Sequence, residues 1–380
     1  MPSLTLEDLT IPIRSIALQP LITGVLLAAG LQNPRRAEDI LAKVFSGRLS
    51  LPTTTQGLGV LVALGIAYRL NRLLSRLSLN NWTSDRAWDW SREIVLITGG
   101  SSGIGALIAS QLAEREIKVV ILDLKPPAAA DSEIKGQNSN TSFYKTNVTS
   151  SSNIAEVAAA IRRDIGHPTV LINNAGIGHC KPILEETEAQ IRATFEVNNI
   201  AHFLLVKEFL PHMIERNHGH VVTLASMASF VVWASNVDYS CTKAASLAFH
   251  EGLAQELRHR YEADKVRTTC VSSPPFPKKD DQIQKSRNPR EKLTPKTHSI
   301  VHPTWVRTPL IEMLLARPGW NELTLETETV ATAVVRQILK GESAQLVLPG
   351  RYSIMAALRG APSWLQEGLR SGGREALRGI

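Results

Sequence analysis

Cysteine is scarce: the 380 residues contain three, and Cys180, Cys241 and Cys270 show no metal-ligand spacing. An odd, unspaced set argues against a disulfide framework and for a reducing compartment, and the three read as small hydrophobes. Aromatics are also few, at 5%. The net charge of +7 comes from scattered Lys and Arg without aromatic interleaving, so the chain does not read as a nucleic-acid binder. His179, His202, His212 and His218 lie in no H-E-x-x-H or Cys-His pattern, so no metal centre is expected and they read as surface or packing histidines. The acidic pair Glu185-Glu186 reads as solvated near a helix start. No internal repeat is visible, and no apolar run reaches the roughly 20 residues of a simple membrane-spanning helix. Glu7 and Asp8 replace the basic start that a cleaved signal peptide would show.

What is present is enough apolar sequence, 43%, for a sizeable core in one large domain or two ordinary ones. Residues 1–90 are almost free of strand patterns and carry two short apolar runs, 16–31 and 58–68. The second continues into "RLNRLLSRLSLNNW", where leucines alternate with Arg69, Arg72 and Arg76 at helical spacing. That is a basic amphipathic helix, suited either to a membrane surface or to capping a globular domain. We therefore expect a membrane-associating helical extension over 1–90.

From about residue 93 short β-branched runs alternate with helical patterns: "EIVLIT", "GIGALIASQLAER", "KVVILD", "TVLINNAG", "GHVVTLAS", "KVRTTCV" and, late, "AQLVLPG". Continuously apolar strands alternating with helices predict an α/β fold, a doubly wound parallel sheet buried on both faces. Gly99, Gly103 and Gly105 stand at the first strand-to-helix junction, where glycine permits a tight turn and close approach to a pyrophosphate. A second strand ends in Asp123, whose carboxylate suits the hydroxyls of an adenosine ribose and repels a 2′-phosphate; Lys125 softens that preference. NAD is thus favoured over NADP. Tyr239 and Lys243, four apart on a helix, share one face. An ammonium beside a phenol, together with the positive nicotinamide ring, lowers its pKa from near 10 toward a useful range, which makes Tyr239 the expected proton-transfer residue. Ser226 ends the strand "HVVTLAS" at the edge where open parallel sheets bind ligands, placed to stabilise a developing alkoxide.

In order, Thr98-Gly-x-x-x-Gly-x-Gly105, Asn173-Asn174-Ala175-Gly176, Asn198, Ser226 and Tyr239-x-x-x-Lys243 resemble the short-chain dehydrogenase/reductase family over about 93–350. The resemblance implies a Rossmann-like fold and an NAD(P)-dependent oxidoreductase acting on CH–OH groups. It implies a catalytic set of Ser226, Tyr239, Lys243 and Asn198. Asn198 would open its helix and hold a water that relays protons from Lys243, and Lys243 would hold the nicotinamide ribose. The implied cofactor contacts are Thr98, Gly99, Ser101, Ser102, Gly103, Ile104, Gly105, Asp123, Asn147, Val148, Asn174, Ala175, Gly176, Tyr239, Lys243, Pro303, Val306 and Thr308. Asn147 stands where many members carry an Asp that meets the adenine amine.

"HGHVVTLASMASF", "VDYSCTKAA" and "HPTWVRTPL", with the apolar extension, look most like the membrane-associated branch containing retinol dehydrogenases and 17β-hydroxysteroid dehydrogenases. That implies a lipophilic retinoid, steroid or long-chain substrate, a membrane surface as partner, and attachment to endoplasmic reticulum or lipid droplet with the catalytic domain facing the cytosol. A homodimer, common in the family, is one option for an assembly that the sequence leaves open. The alternative class is a catalytically silent cofactor-binding or scaffold protein of the same fold. The expected organisation is an extension over 1–90, a catalytic domain over 91–352, and an amphipathic tail over 353–380, whose Trp364 suits either an interface or a helix over the pocket mouth. Residues 272–300 are rich in proline and charge and interrupt the passage from "KVRTTCV" to "HPTWVRTP". They read as a disordered insertion or a retained intron, Val271-Ser272 being a reading of a GTAAGT donor site; a lid is the competing reading.

Overall fold

The computed structural model describes residues 17–45, 50–127, 140–272, 305–306, 324–348 and 350–372. The chain forms two compact units, 1–82 and 83–380. In the first, α1 (Pro20–Gln32), α2 (Pro34–Phe45) and α3 (Leu51–Leu79) are the described elements. Helix α3 begins well before its apolar run. Pro52 suits a first turn, the Ser50 hydroxyl accepts from Thr53 N at 3.3 Å, and Thr54 and Thr55 donate back to the Ser50 and Leu51 carbonyls. The second run, too short in sequence, therefore becomes part of one 29-residue helix with an 18-residue window of mean hydropathy 1.4, long and apolar enough to cross a membrane by length and composition, while the first run lies in α1. Helix α1 packs on α3, closely enough that a Cβ on Gly65 would lie 2.9 Å from the Leu18 carbonyl oxygen. Val25, Leu31, Val60, Leu64 and Leu70 remain exposed.

The second unit is built in chain order from β1 (Ile94–Thr98), α4 (Gly103–Ala113), β2 (Lys118–Asp123), β3 (Thr141–Lys145), α5 (Ser151–Asp164), β4 (Val170–Asn173), α6 (Glu188–Phe195), α7 (Ala201–Glu215), β5 (Gly219–Leu224), α8 (Val237–His259) and β6 (Val266–Ser272). The short pair β7 (Trp305–Val306) and β8 (Thr324–Leu325) follows, then α9 (Thr327–Leu339), β9 (Ala344–Val347) and α10 (Ser363–Gly372). Seven strands form one parallel sheet in the order β3-β2-β1-β4-β5-β6-β9. The expected doubly wound sheet is what the chain adopts.

Alternate residues of the central strands face opposite layers, which is why the strands are apolar throughout. Leu96, Leu122, Leu171 and Val221 pack under α5, α7 and α8 with Ile161, Phe209 and Leu253. Val95, Ile97, Ile121, Ile172 and Val222 pack under α4 and α9 with Ile108, Val334 and Ile338. Truncating one such fully buried Leu or Ile to Ala costs about 2–5 kcal/mol. Strand order reverses between β1 and β4, and this places the crevice at the C-terminal ends of these strands, where α/β sheets bind ligands. The tail packs only in part: Met355 and Leu358 are buried with Met227, Phe230 and Val231, whereas Trp364 is 75% exposed. Pro303, Thr308 and the stretch 273–304 lie outside the described residues. Val306 is described as backbone in β7.

Candidate functional site

At the tip of β1 the chain leaves the sheet through Gly99, whose φ of +64° suits glycine. Gly105, one turn on in α4, has no room for a side chain: a Cβ there would stand 2.2 Å from the Gly99 carbonyl oxygen. Thr98 and Asn174 tie this turn to the end of β4. Asn174 Nδ2 donates to the Thr98 and Gly99 carbonyls at 2.9 and 3.0 Å, and the Thr98 hydroxyl oxygen accepts from Asn174 N and Ala175 N, both at 3.1 Å. Ser102 precedes α4 without capping it by a side-chain hydrogen bond, which leaves the helix's leading amides for an anion.

Asp123 at the end of β2 accepts from Ser101 N at 3.1 Å and Leu124 N at 2.7 Å. The carboxylate is thereby fixed beside the glycine turn, with acceptor capacity remaining for two hydroxyls. The Ser101 hydroxyl is buried and has no hydrogen-bond partner, which is what a site for an added polar ligand leaves behind. These residues fit a dinucleotide. Asn147 is different, because its carbonyl oxygen already accepts from Thr149 N at 3.1 Å and the Thr149 hydroxyl at 2.9 Å. Only its amide nitrogen is left to meet a ligand, while neighbouring Val148 is buried.

The second half of the site lies across β4, β5 and α8. Asn198 is fully buried within a π turn, Glu196–Ile200, between α6 and α7. It accepts from Ile177 N and donates to Ile177 O, both at 2.8 Å, and donates to the Thr242 hydroxyl at 3.1 Å. The wide turn is the opened helix expected at this position. Its main-chain carbonyl accepts from the Ser246 hydroxyl at 3.2 Å. Lys243 is buried, donates to the Leu224 carbonyl at 2.8 Å, and stands 5.5 Å from the centroid of the Tyr239 ring. Ser226, half-buried at the end of β5, caps the short turn 227–229 by accepting from Ala228 N at 3.2 Å. Ser229, whose hydroxyl donates to the Lys243 carbonyl at 2.7 Å, escapes sequence reasoning along with Thr242 and Ser246, since a helical Ser or Thr carries no signal of the neighbour it will support.

The protein's own groups do not by themselves lower the Tyr239 pKa. Burial pushes the Tyr239 phenol up to about 12, a hydrogen bond with Ser226 pulls it back, and Cys180 adds to the rise. Burial also pushes Lys243 down to about 8. The physical reason is placement: the Lys243 ammonium lies over the ring and is bonded to Leu224 O, so in the bare protein desolvation outweighs its attraction for a phenolate.

Beside Tyr239 the sequence reading of the acidic pair holds for Glu185 and fails for Glu186. Glu185 is exposed, but Glu186 turns inward with a buried oxygen, and His179, Glu186 and Asp238 bring their donor atoms within 4.8 Å of one another. His179 Nδ1 lies 3.8 Å from Asp238 Oδ2 and 3.2 Å from the Thr194 hydroxyl. Burial and then Asp238 push the Glu186 carboxyl up to about 7. Among the described residues this is the one group of metal-binding side-chain types, and the Nδ1 contact with Thr194 competes with any ion there. His202 is one of the packing histidines: it is buried against Phe249, and burial, then Lys243, pushes it down to about 3.

With this geometry the comparisons agree. A model of the short chain dehydrogenase family matches residues 93–284. Dehydrogenase RED2 of Cochliobolus heterostrophus is 47% identical over 226 residues, covering 60% of this chain and 83% of the relative. Human Estradiol 17-beta-dehydrogenase 11 is 35% identical over 181 residues, and the match spans 47% of this chain and 60% of that relative, less than two thirds of its length. A solved short-chain dehydrogenase from Streptomyces avermitilis has the same fold, with a TM-score of 0.54 at 23% identity, covering 74% of this chain and 97% of that one.

Proposed function

Since the chain belongs to the short-chain dehydrogenase family, an oxidoreductase family acting on CH–OH groups with NAD(P)(H), we propose that it interconverts an alcohol and a carbonyl on a lipophilic retinoid, steroid or long-chain substrate. The observation that carries the reading is the meeting of Ser226, Tyr239, Lys243 and Asn198 at the C-terminal end of β4 and β5, next to the Gly99–Gly105 turn. When bound, the nicotinamide supplies or accepts the hydride and, in its oxidised form, a positive charge. Ser226 and Tyr239 hydroxyls bind the substrate oxygen, and Tyr239 gives it a proton in reduction or takes one in oxidation. Lys243 orients the nicotinamide ribose and holds charge beneath Tyr239. Asn198 fixes Ile177 and so the floor of the site.

Three features support a lipophilic substrate. Met227, Phe230 and Val231 follow Ser226 directly and form an apolar patch with Met355 and Leu358. The first unit exposes apolar faces on α1 and α3 that suit a membrane surface. A relative is named as a steroid dehydrogenase. Asp123, held beside the glycine turn, favours NAD over NADP. We place the unit boundary for membrane attachment at residue 82, the catalytic domain after it, and the tail from about 353 partly over the site.

The test is a panel of retinoids, steroids and long-chain alcohols with NAD and NADP, followed by nicotinamide absorbance, together with flotation of the full chain and of a chain lacking residues 1–82 on liposomes. Turnover of a lipophilic alcohol by the full chain, and liposome binding only with residues 1–82, are expected. Cofactor binding without turnover of any alcohol or ketone would support the catalytically silent alternative.

A further inference from the structure

The loop after β4 is held to the catalytic helix at two places. At its start Ile177 is gripped by Asn198, and at Gly178 the backbone lies on Tyr239 so closely that a Cβ would stand 3.2 Å from the ring. At its end Glu186, just before the Thr187 capping box of α6, meets Asp238 in the first turn of α8, the residue that precedes Tyr239. Asp238 is only 5% exposed, and neither of its oxygens nor Glu186 Oε1 has a hydrogen-bond partner of ordinary geometry. A buried carboxylate and the buried oxygen of a half-buried one, this close together, are poorly placed for both to keep their charge without a proton or a cation between them. Burial and then Asp238 raise the Glu186 carboxyl, so the proton belongs on Glu186.

We propose that Glu186 and Asp238 share one proton, and that this bridge clamps the 177–187 loop against Tyr239, making both carboxyl groups positioning residues for the proton-transferring phenol. This deepens the reaction proposed above and rests on it. The other groups facing the bridge are His179, Cys180 and Lys181 on the loop and Tyr239 on α8. Cys180 is pushed up to about 11, by burial and then by Asp238 and Glu186, so it stays a thiol. Lys181 favours the charged form of Glu186, but burial and Asp238 outweigh it. His179 is bonded to Thr194 and stands beyond hydrogen-bond length from Asp238.

The sign follows from Glu186, which holds its proton up to about pH 7 when folded against 4.5 in the open chain. Stability from the bridge is complete below about pH 4.5 and is lost as pH rises through about 7. Loosening of the loop then displaces Tyr239. Glu186→Gln keeps a donor for Asp238 and cannot ionise.

The experiment compares the full chain with Glu186→Gln and, as a second variant in case that one folds poorly, His179→Asn. Thermal melting from pH 5 to 9 without substrate is read alongside the pH profile of kcat and KM for 1-decanol with NAD. The expected result is a Tm gap between Glu186→Gln and the parent that widens by several degrees from pH 5 to 8.5, with His179→Asn keeping the parental slope. In kinetics, the parent loses kcat above an apparent pKa near 7 relative to Glu186→Gln, by about tenfold at pH 8.5. Diverging melting curves with no turnover by any of the proteins would uphold the bridge and reject the reaction. Parallel melting curves, a parental slope abolished by His179→Asn, or a stoichiometric divalent metal lost in Glu186→Gln would overturn the bridge.

Discussion

Lys243 holds its ammonium over the face of the Tyr239 ring, 5.5 Å from the centroid, while the same nitrogen donates 2.8 Å to the Leu224 carbonyl. The lysine is therefore a fixed charge under the ring and not a partner of the phenol oxygen. Tyr239→Phe keeps the ring that packs on Gly178 and removes only the hydroxyl. Turnover is expected to fall by about 10²–10⁴-fold, with cofactor affinity retained. Steady-state rates and a nicotinamide fluorescence titration measure both; a near-parental rate would remove Tyr239 from the chemistry.

Asn198 is the one side chain that satisfies both polar groups of Ile177 in the bonds described here. Asn198→Ala leaves the part-buried N–H and C=O of Ile177 to find new partners, a loss of at most roughly 1–3 kcal/mol for each group that fails to do so. Lower denaturation midpoints are expected in the variant, together with a reduced kcat because the loop that touches Tyr239 loses its anchor. Asn198→Asp, which retains the acceptor for Ile177 N but loses the donor to Ile177 O, should fall between the two. Equal stability of all three proteins would show that the contact is dispensable.

The sheet was legible because buried parallel strands must be apolar on both faces, and Val95–Ile97, Val119–Leu122 and Val170–Ile172 are so without interruption. β3 was not, since it lies at the sheet edge and its "TSFYK" is only partly buried. The catalytic order could be read from spacing because Tyr239 and Lys243 share one helix face, whereas the Glu186–Asp238 meeting joins residues 52 positions apart on different elements. Nothing local distinguishes an inward Glu186 from the exposed Glu185 beside it. The length of α3 was underread for a related reason: Thr53, Thr54 and Thr55 look like a loop in composition, yet their hydroxyls bond back along the first turn.

His218 sits between Asp85 and Glu93, with Nδ1 2.8 Å from Asp85 Oδ2 and Nε2 3.2 Å from Glu93 Oε1. The bond to Glu93 holds its pKa above the usual histidine value; burial opposes this and Asp85 adds to it. A histidine raised on folding stabilises fully below its unfolded value and loses that contribution as pH rises through the folded one. His218→Gln should therefore cost most at pH 5.5 and less at pH 9. Melting curves at the two pH values check this, and a cost that is the same at both would mean that His218 acts by packing against Trp88 rather than by charge.

Asp123 has one role in this geometry and one in the proposed function. Its Oδ2 accepts from Ser101 N, which steadies the glycine turn, and its remaining lone pairs are the proposed acceptors for an adenosine ribose. Asp123→Ala removes both, while Asp123→Asn keeps an acceptor for Ser101 and loses the charge that repels a 2′-phosphate. If the ribose reading is right, Asp123→Ala raises the KM for NAD by about tenfold or more, on the scale of one lost charge-assisted hydrogen bond, and raises that for NADP far less. Asp123→Asn should narrow the NAD/NADP ratio with little change in melting temperature. A loss shared equally by both cofactors in both variants would mean that Asp123 serves only the turn and that the preference for NAD lies elsewhere.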